Sequence, residues 1–344
     1  MSFVRNAWYV ASWAHDVTDA PRAETVLGEN VVLWRDRDGA VRALEDRCPH
    51  RFLPLSKGRV VRGTLQCGYH GLTFDGTGCC VSAPTQRKLP TDSTVRTYPV
   101  HENMGLVWIW MGEPAEADPS EVYDLPEYHR DGWGVAHGDA LDVEANYLLL
   151  CDNLCDPTHV TYVHPTTLGS PDVQDVPVSY EERPWGVSTS RLTPDSVPVG
   201  FFKAFGNYAG HVDRWQHYHM YAPSTAIIDF GSAEAGTGGF EGGGNQRIQV
   251  YSCHFMTPIT ETRTIDRWLH VRNFASDDPS VGEAISDQFR VAFAEDKDIL
   301  EAIQEEEDRH AGAPKVGLDL DASAGLFRLK VSRMLRAEAQ LAAE

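Results

Sequence analysis

No run of eighteen apolar residues occurs in this 344-residue chain, so nothing in it reads as a membrane-spanning helix. The opening Met1-Ser2-Phe3-Val4-Arg5 lacks the apolar stretch of a secretion signal, and a cytoplasmic location is expected. Basic residues are scarce. Thirty Lys and Arg stand against 50 Asp and Glu, a formal net charge of −20. Phosphate backbones and anionic membranes are bound through a basic footprint, so nucleic acid and membrane are not expected partners. The acidic excess serves solubility and would also suit a basic redox protein. The seven cysteines lack the spacing of a disulfide framework. Five of them, Cys79, Cys80, Cys151, Cys155 and Cys253, are expected to be small buried hydrophobes. The glycine-rich run 236–244 has neither the strand-turn-helix context nor the lysine of a nucleotide loop, and a mobile loop bordering a pocket is expected there.

What the chain does contain is a pair of mixed loops, Cys48-Pro49-His50 and Cys67-Gly68-Tyr69-His70. Each offers one thiolate and one imidazole. Cys2His2 is a tetrahedral zinc set, but structural zinc sites more often pair Cys with Cys and His with His. Mixed loops suit a [2Fe-2S] cluster with two thiolates on one iron and two histidines on the other. Strand-like runs surround them at 30–36, 40–45, 63–66, 72–74, 95–100 and 105–111, with turn signals at Arg37-Asp38-Gly39 and Asp75-Gly76-Thr77-Gly78. This part is expected to be all β. Gly68 and Gly71 would let backbone approach a cluster closely. Pro114, Pro119 and Pro126 mark a connection, and the length suits two domains, 1–120 and 121–344.

In the second part His159 and His164 are five apart. A regular helix would splay them by about 140°, but Pro157 disfavours regular helix just before them. Two imidazoles and one carboxylate on one face of an iron, with open positions beside them, are the set used to bind dioxygen. The segment 281–309 has apolar residues at helical spacing (Ile285, Phe289, Ala292, Phe293, Ile299, Leu300, Ile303) and could supply the carboxylate. Periodicity does not choose among Glu295, Asp296 and Asp298, and acids on such a helix are commonly just solvated. His217 and His219 would share one face of a strand, without a nearby Cys or carboxylate to complete a metal set. Strand-like runs at 214–221, 225–230, 247–256 and 264–272, with a turn at Pro258-Ile259-Thr260-Glu261, make this an α+β domain.

Resemblance adds to these readings. The four ligands match the Rieske motif of the non-haem iron oxygenases. The run Asp152-Asn153-Leu154-x-Asp156-x-x-His159-x-x-x-x-His164 resembles the iron-binding helix of that family, and Glu295-Asp296 resembles its carboxylate segment. The resemblance implies a [2Fe-2S] cluster on Cys48, His50, Cys67 and His70, and a mononuclear Fe(II) on His159, His164 and Asp296. It makes Asp156 the acid bridging an iron-ligand histidine to a cluster histidine of a neighbouring subunit, and places Asn153 near the iron. His254 and Asp229 align with substrate contacts of a related dicamba demethylase, whose pocket tryptophan is Asp287 here. The implied fold is an N-terminal all-β Rieske domain followed by a helix-grip domain with an antiparallel sheet and iron-bearing helices.

The chain most resembles vanillate O-demethylase oxygenases and toluenesulfonate methyl-monooxygenases; Val163 to Gly169 and Gly231-Ser232-Ala233 lean toward the latter. Both groups share Asp213-Arg214-Trp215-Gln216, and Arg214 could hold a substrate anion or lie on the surface. The implied activity is that of an oxygenase component, expected as a homotrimer. It would use O2 and electrons that a separate reductase, alone or through a ferredoxin, draws from NAD(P)H. Its substrate would be a small anionic aromatic with a methoxy group, demethylated with release of formaldehyde, or a methyl group, hydroxylated. Ring dihydroxylation, a Rieske electron carrier and a zinc-stabilised binding module are the alternatives.

Overall fold

The computed structural model describes residues 3–341 apart from 85, 90, 92, 166–167, 169–174 and 199. Thr166, Thr167 and Gly169, part of the stretch that leans toward the sulfonate group, therefore lie outside the described residues. The chain divides into two compact units, Met1–Asp124 with Thr257–Thr260, and Leu125–Met256 with Glu261–Glu344. The division after Asp124 lies a few residues beyond the expected 120.

The first unit is built from short antiparallel strands: β1 (Trp8–Trp13), β2 (Arg22–Val26), β3 (Glu29–Arg35), β4 (Val41–Glu45), β5 (Arg59–Val61), β6 (Thr64–Gln66), β7 (Thr73–Phe74), β8 (Cys80–Ser82), β9 (Val100–Asn103) and β10 (Leu106–Trp110). They form three sheets, β1-β10-β9, β2-β3-β4 and β5-β6-β7-β8. The turn between β3 and β4 is closed by Asp36, whose Oδ1 accepts from the amides of Asp38 and Ala40, with Gly39 at φ +82°. The turn between β7 and β8 repeats the device with Asp75, which accepts from Thr77 and Cys79. The expected strand at 95–100 is mostly absent, because Thr94 and Thr97 form only isolated bridges and pairing begins at Val100. Cys79, expected to be buried, is exposed, while its neighbour Cys80 points into the core; adjacent residues near a strand alternate faces.

The second unit holds a seven-stranded antiparallel sheet made from β11 (Gly134–Val143), β12 (Val178–Arg183), β13 (Gly186–Ser196), β14 (Val212–Tyr221), β15 (Thr225–Glu234), β16 (Ile248–Thr260) and β17 (Arg263–Arg272). Its strand order is β11-β17-β16-β15-β14-β13-β12. Among the described residues five helices accompany it: α1 (Tyr147–Cys155), α2 (Val160–Val163), α3 (Gly200–Phe205), α4 (Pro279–Arg309) and α5 (Ala322–Leu341). This is the α+β architecture expected from the sequence. The turn expected at 258–261 sits later, since β16 runs through Pro258 to Thr260.

Helix α4 matters most for the site. Asp278 caps it by accepting from the Ser280 amide, and Pro279 occupies the first turn. Its buried stripe runs Gly282, Ile285, Ser286, Phe289, Ala292, Phe293, Asp296, Leu300 and Gln304, steps of one, three and four residues that keep one face inward. Ile299 and Ile303, expected on that face, are exposed because they fall outside this stripe. Phe289 and Phe293 pack edge-on against Trp268 of β17. Each such buried aromatic contributes about 1.5–3 kcal/mol, which fixes the rotation of α4 and thereby the direction of Asp296.

Candidate metal centres and the catalytic cavity

The two loops of the first unit share one backbone design. The Cys48 amide donates to the Leu53 carbonyl and the Phe52 amide donates back to Cys48; likewise Cys67 donates to Leu72 and Gly71 back to Cys67. The residue four beyond each cysteine is left-handed, Phe52 at φ +60° and Gly71 at φ +77°. Gly68 is required by close approach, because a Cβ there would lie 2.7 Å from the Lys57 carbonyl oxygen. Asp46 ties the first loop down by accepting from the amide and hydroxyl of Ser56 at 2.7 and 2.6 Å.

Cys48 and Cys67 lie within the hydrophobic core. His50 is exposed, with its ring centroid 4.7 Å from that of the half-buried His70. Burial raises the Cys48 thiol to about 11, aided by the adjoining Cys67 thiol. The Nδ1 of His70 is buried and has no hydrogen-bond partner, which is costly unless something else takes its lone pair. A single zinc at 2.0–2.3 Å from four donors would draw them all together. Among the described residues these four do not gather in that way; thiol sits by thiol and ring by ring. Two paired donor sets fit a two-iron cluster better than one ion.

In the second unit α1 ends at Asp156 in extended conformation before Pro157, and α2 starts after His159. This break turns His159 and His164 toward each other. The donor atoms of His159, His164 and Asp296 lie within 4.8 Å of one another, the one such group among the described residues. His164 Nε2 is 3.1 Å and His159 Nε2 3.6 Å from Asp296 Oδ1. Both Nδ1 atoms are engaged elsewhere, His159 with the Asp156 backbone carbonyl at 2.5 Å and His164 with Glu295 Oε2 at 2.8 Å. That pattern leaves each Nε2 for a metal. Burial lowers the His159 pKa, despite Asp296. Burial opposes protonation of His164 too, but the hydrogen bonds of Asp296 and Glu295 prevail and raise it. Asn153 Nδ2 donates to Asp296 Oδ1 at 2.9 Å. Burial holds the Cys151 and Cys155 thiols well above their ordinary range, and neither sulfur belongs to the group of gathered donor atoms.

The contact expected of Asp156 with an iron-ligand histidine takes a different form here. The Asp156 carboxylate accepts from Thr158 N and Oγ, and from the amide of His159, rather than from an imidazole. It is drawn there by the free amides that open a helix. Glu295, which periodicity does not separate from Asp296 and Asp298, orients His164 through Nδ1, while the rotation of α4 turns Asp296, the acid that resemblance selects, into the buried stripe.

A cavity of about 210 Å³ opens beside the triad. Its apolar walls include Tyr218, Ile228, Phe230, Phe289 and Phe293. His254 lines it, 2% exposed, with Nδ1 2.7 Å from Asp266 Oδ2 and Nε2 3.0 Å from Ser252 Oγ. Asp229 does not line it. Strand alternation turns Asp229 to the opposite face from Ile228 and Phe230, where it accepts from Trp215 Nε1 and Gln249 Nε2. His217 and His219 are occupied by the hydroxyls of Ser190 and Ser188. None of residues 236–244 borders the cavity, and Arg247 pins this run by donating to the Gly239 carbonyl.

Residues 7–99 match the Rieske [2Fe-2S] domain, and 143–337 the vanillate O-demethylase oxygenase C-terminal domain. A putative toluene-4-sulfonate monooxygenase system iron-sulfur subunit of Comamonas testosteroni is 38% identical, over 97% of this chain and 98% of its own length. A vanillate O-demethylase oxygenase subunit of a Pseudomonas species is 34% identical, over 99% and 97%. The crystal structure of dicamba monooxygenase bound to dicamba superposes with a TM-score of 0.89 at 33% identity, covering 99% of this chain and 100% of that one.

Proposed function

This chain belongs to the Rieske non-haem iron oxygenases of the vanillate O-demethylase type, and from that premise we propose that it oxidises the methoxy or methyl group of a small anionic aromatic. Residues 1–120 would hold the cluster through Cys48, His50, Cys67 and His70. Residues 121–344 would hold mononuclear iron through His159, His164 and Asp296. When bound, these groups supply one-electron transfer and dioxygen activation. The observation that carries the reading is the gathering of two imidazoles and one carboxylate at the wall of an apolar cavity.

The chain's own residues give that chemistry its setting. Glu295 and the Asp156 carbonyl fix the two imidazoles, Asn153 steadies Asp296, and the aromatic walls keep water from the reacting carbon. Oxidation of a methoxy carbon gives a hemiacetal that separates into a phenol and formaldehyde; oxidation of a methyl carbon gives an alcohol. Relatives named for vanillate and for toluene-4-sulfonate support one outcome each, and the vanillate type is the one proposed. Electrons would come from NAD(P)H through a separate reductase. The active form would be a cytoplasmic homotrimer, in which Asp156 links the iron of one subunit to the cluster of the next.

Metal analysis together with product analysis tests the proposal. Three irons per chain and formaldehyde from methoxybenzoates, given a reductase, are expected. A zinc protein, or one that reduces and reoxidises without altering any aromatic, would overturn it.

A further inference from the structure

Arg214 is 7% exposed and lines the same cavity as His159, His164 and Asp296. Among the described residues it is the only Lys or Arg on that lining, and Asp296 is the only carboxylate. The register of the sheet sets the two apart. His254 lies opposite Ala226, Ser252 opposite Ile228, Val250 opposite Phe230 and Ile248 opposite Ser232; on the next strand Tyr218, Gln216 and Arg214 face Ile228, Phe230 and Ser232. His254 marks the metal end, since its ring packs at 4.7 Å on Phe293, one turn of α4 before Asp296. Each pair of residues advances about 6.6 Å along a strand. The Arg214 backbone is therefore about 13 Å beyond the row of Tyr218 and Ile228, with a long side chain available to reach back. Between the ends, Phe230 and Phe289 meet at 6.2 Å and give an aromatic ring apolar walls.

We propose that Arg214 receives the anionic group of the substrate at the end of the cavity remote from the metal ligands. This rests on the oxygenase reading and extends it to the shape of the substrate. A guanidinium fork matches a carboxylate or sulfonate in geometry and charge. The oxidised carbon and the anion then occupy opposite sides of one ring, so para and meta isomers fit. An ortho isomer would bring its anion beside the Asp296 carboxylate, where like charges repel.

The test is calorimetric binding to anaerobic, metal-loaded protein, followed by turnover. The probes are 4-methylbenzenesulfonate, its neutral sulfonamide, 4-methoxybenzoate and 2-methoxybenzoate. Arg214→Met should lower the preference for sulfonate over sulfonamide by about 10–100-fold, the range for a charge-assisted hydrogen bond. Arg214→Lys should keep part of that preference and guards against a folding defect in the Met variant. The parent should prefer the 4-methoxy to the 2-methoxy isomer. Equal loss of charged and neutral probes in both variants, or indifference to the isomer, would overturn the role of Arg214. If aromatic anions bind with the expected Arg214 dependence but are never oxidised, the oxygenase reading fails and the anion site stands. Should turnover proceed with no Arg214 dependence, the reverse holds.

Discussion

In the first unit four donors come from two loops that fold alike, each closed by the same pair of backbone bonds around its cysteine. In the second unit the donors come from a broken helix and from α4, and His164 meets Glu295 across 131 positions of sequence. The first site is held locally, by turns and by cysteines sunk in a core. The second depends on how α4 is rotated by Phe289, Phe293 and Trp268. The first site therefore leans on short-range backbone bonds, the second on packing between elements far apart in the sequence.

The largest expected effect separates the two sites. Cys48→Ser should remove the cluster's visible and spin-resonance signals while mononuclear iron remains, and Asp296→Ala should do the opposite. Each should abolish turnover, because a facial triad cannot readily spare its carboxylate and a cluster cannot spare its thiolate. Elemental iron and spectra on the same samples decide it; one substitution emptying both sites would break the comparison. Co-assembling the two variants sharpens it further. Partial activity in mixed oligomers is expected if electrons cross between subunits, and silence in correctly mixed, folded oligomers would exclude that route. Asp156→Asn should keep both metals and still lose turnover.

A smaller effect is expected one residue from the triad. Glu295→Ala removes the partner of His164 Nδ1, and loss of such a partner typically costs about 10–100-fold in metal affinity or activity. Asp298→Ala, at an exposed position on the same helix, should change metal content little. Iron retention during chelator titration measures both. Equal behaviour of the two variants would mean that the carboxylate on His164 does nothing for the metal.

The same contrast explains what the sequence could tell. Spacing alone exposed Cys48, His50, Cys67 and His70, since all four lie within two turns of local chain. The kink at Pro157 was legible for the same reason. Periodicity showed that α4 is a helix, but helical spacing in the sequence could not resolve whether Glu295 or Asp296 faces inward, a difference of about 100°. Family resemblance chose Asp296, and the buried stripe supplies the physical cause. Asp229 shows the converse failure: a single-residue offset in a strand reverses the face. Arg214 had no local signal separating cavity from surface; its place follows from register across three strands.

The smallest predicted effect probes whether the two cluster loops are equivalent. Gly71 and Phe52 hold matching left-handed positions, but one has no side chain and the other has a large one. A left-handed L-residue costs roughly 1–2 kcal/mol, and a Cβ on Gly71 would also press to 3.2 Å from Pro84 Cγ. Gly71→Ala should therefore lower the temperature at which the cluster bleaches. Phe52→Gly relieves the same backbone strain, yet it frees the unfolded chain by about 0.5–1 kcal/mol and removes the stacking of Arg47 on the Phe52 ring at 4.9 Å, worth about 0.5–1 kcal/mol where exposed. The gains and losses nearly cancel, so its bleaching temperature should stay close to the parent's. If Phe52→Gly bleached as early as Gly71→Ala, the phenylalanine ring, which is 63% exposed, would be protecting the cluster from solvent, and the two loops would share a backbone without sharing a task.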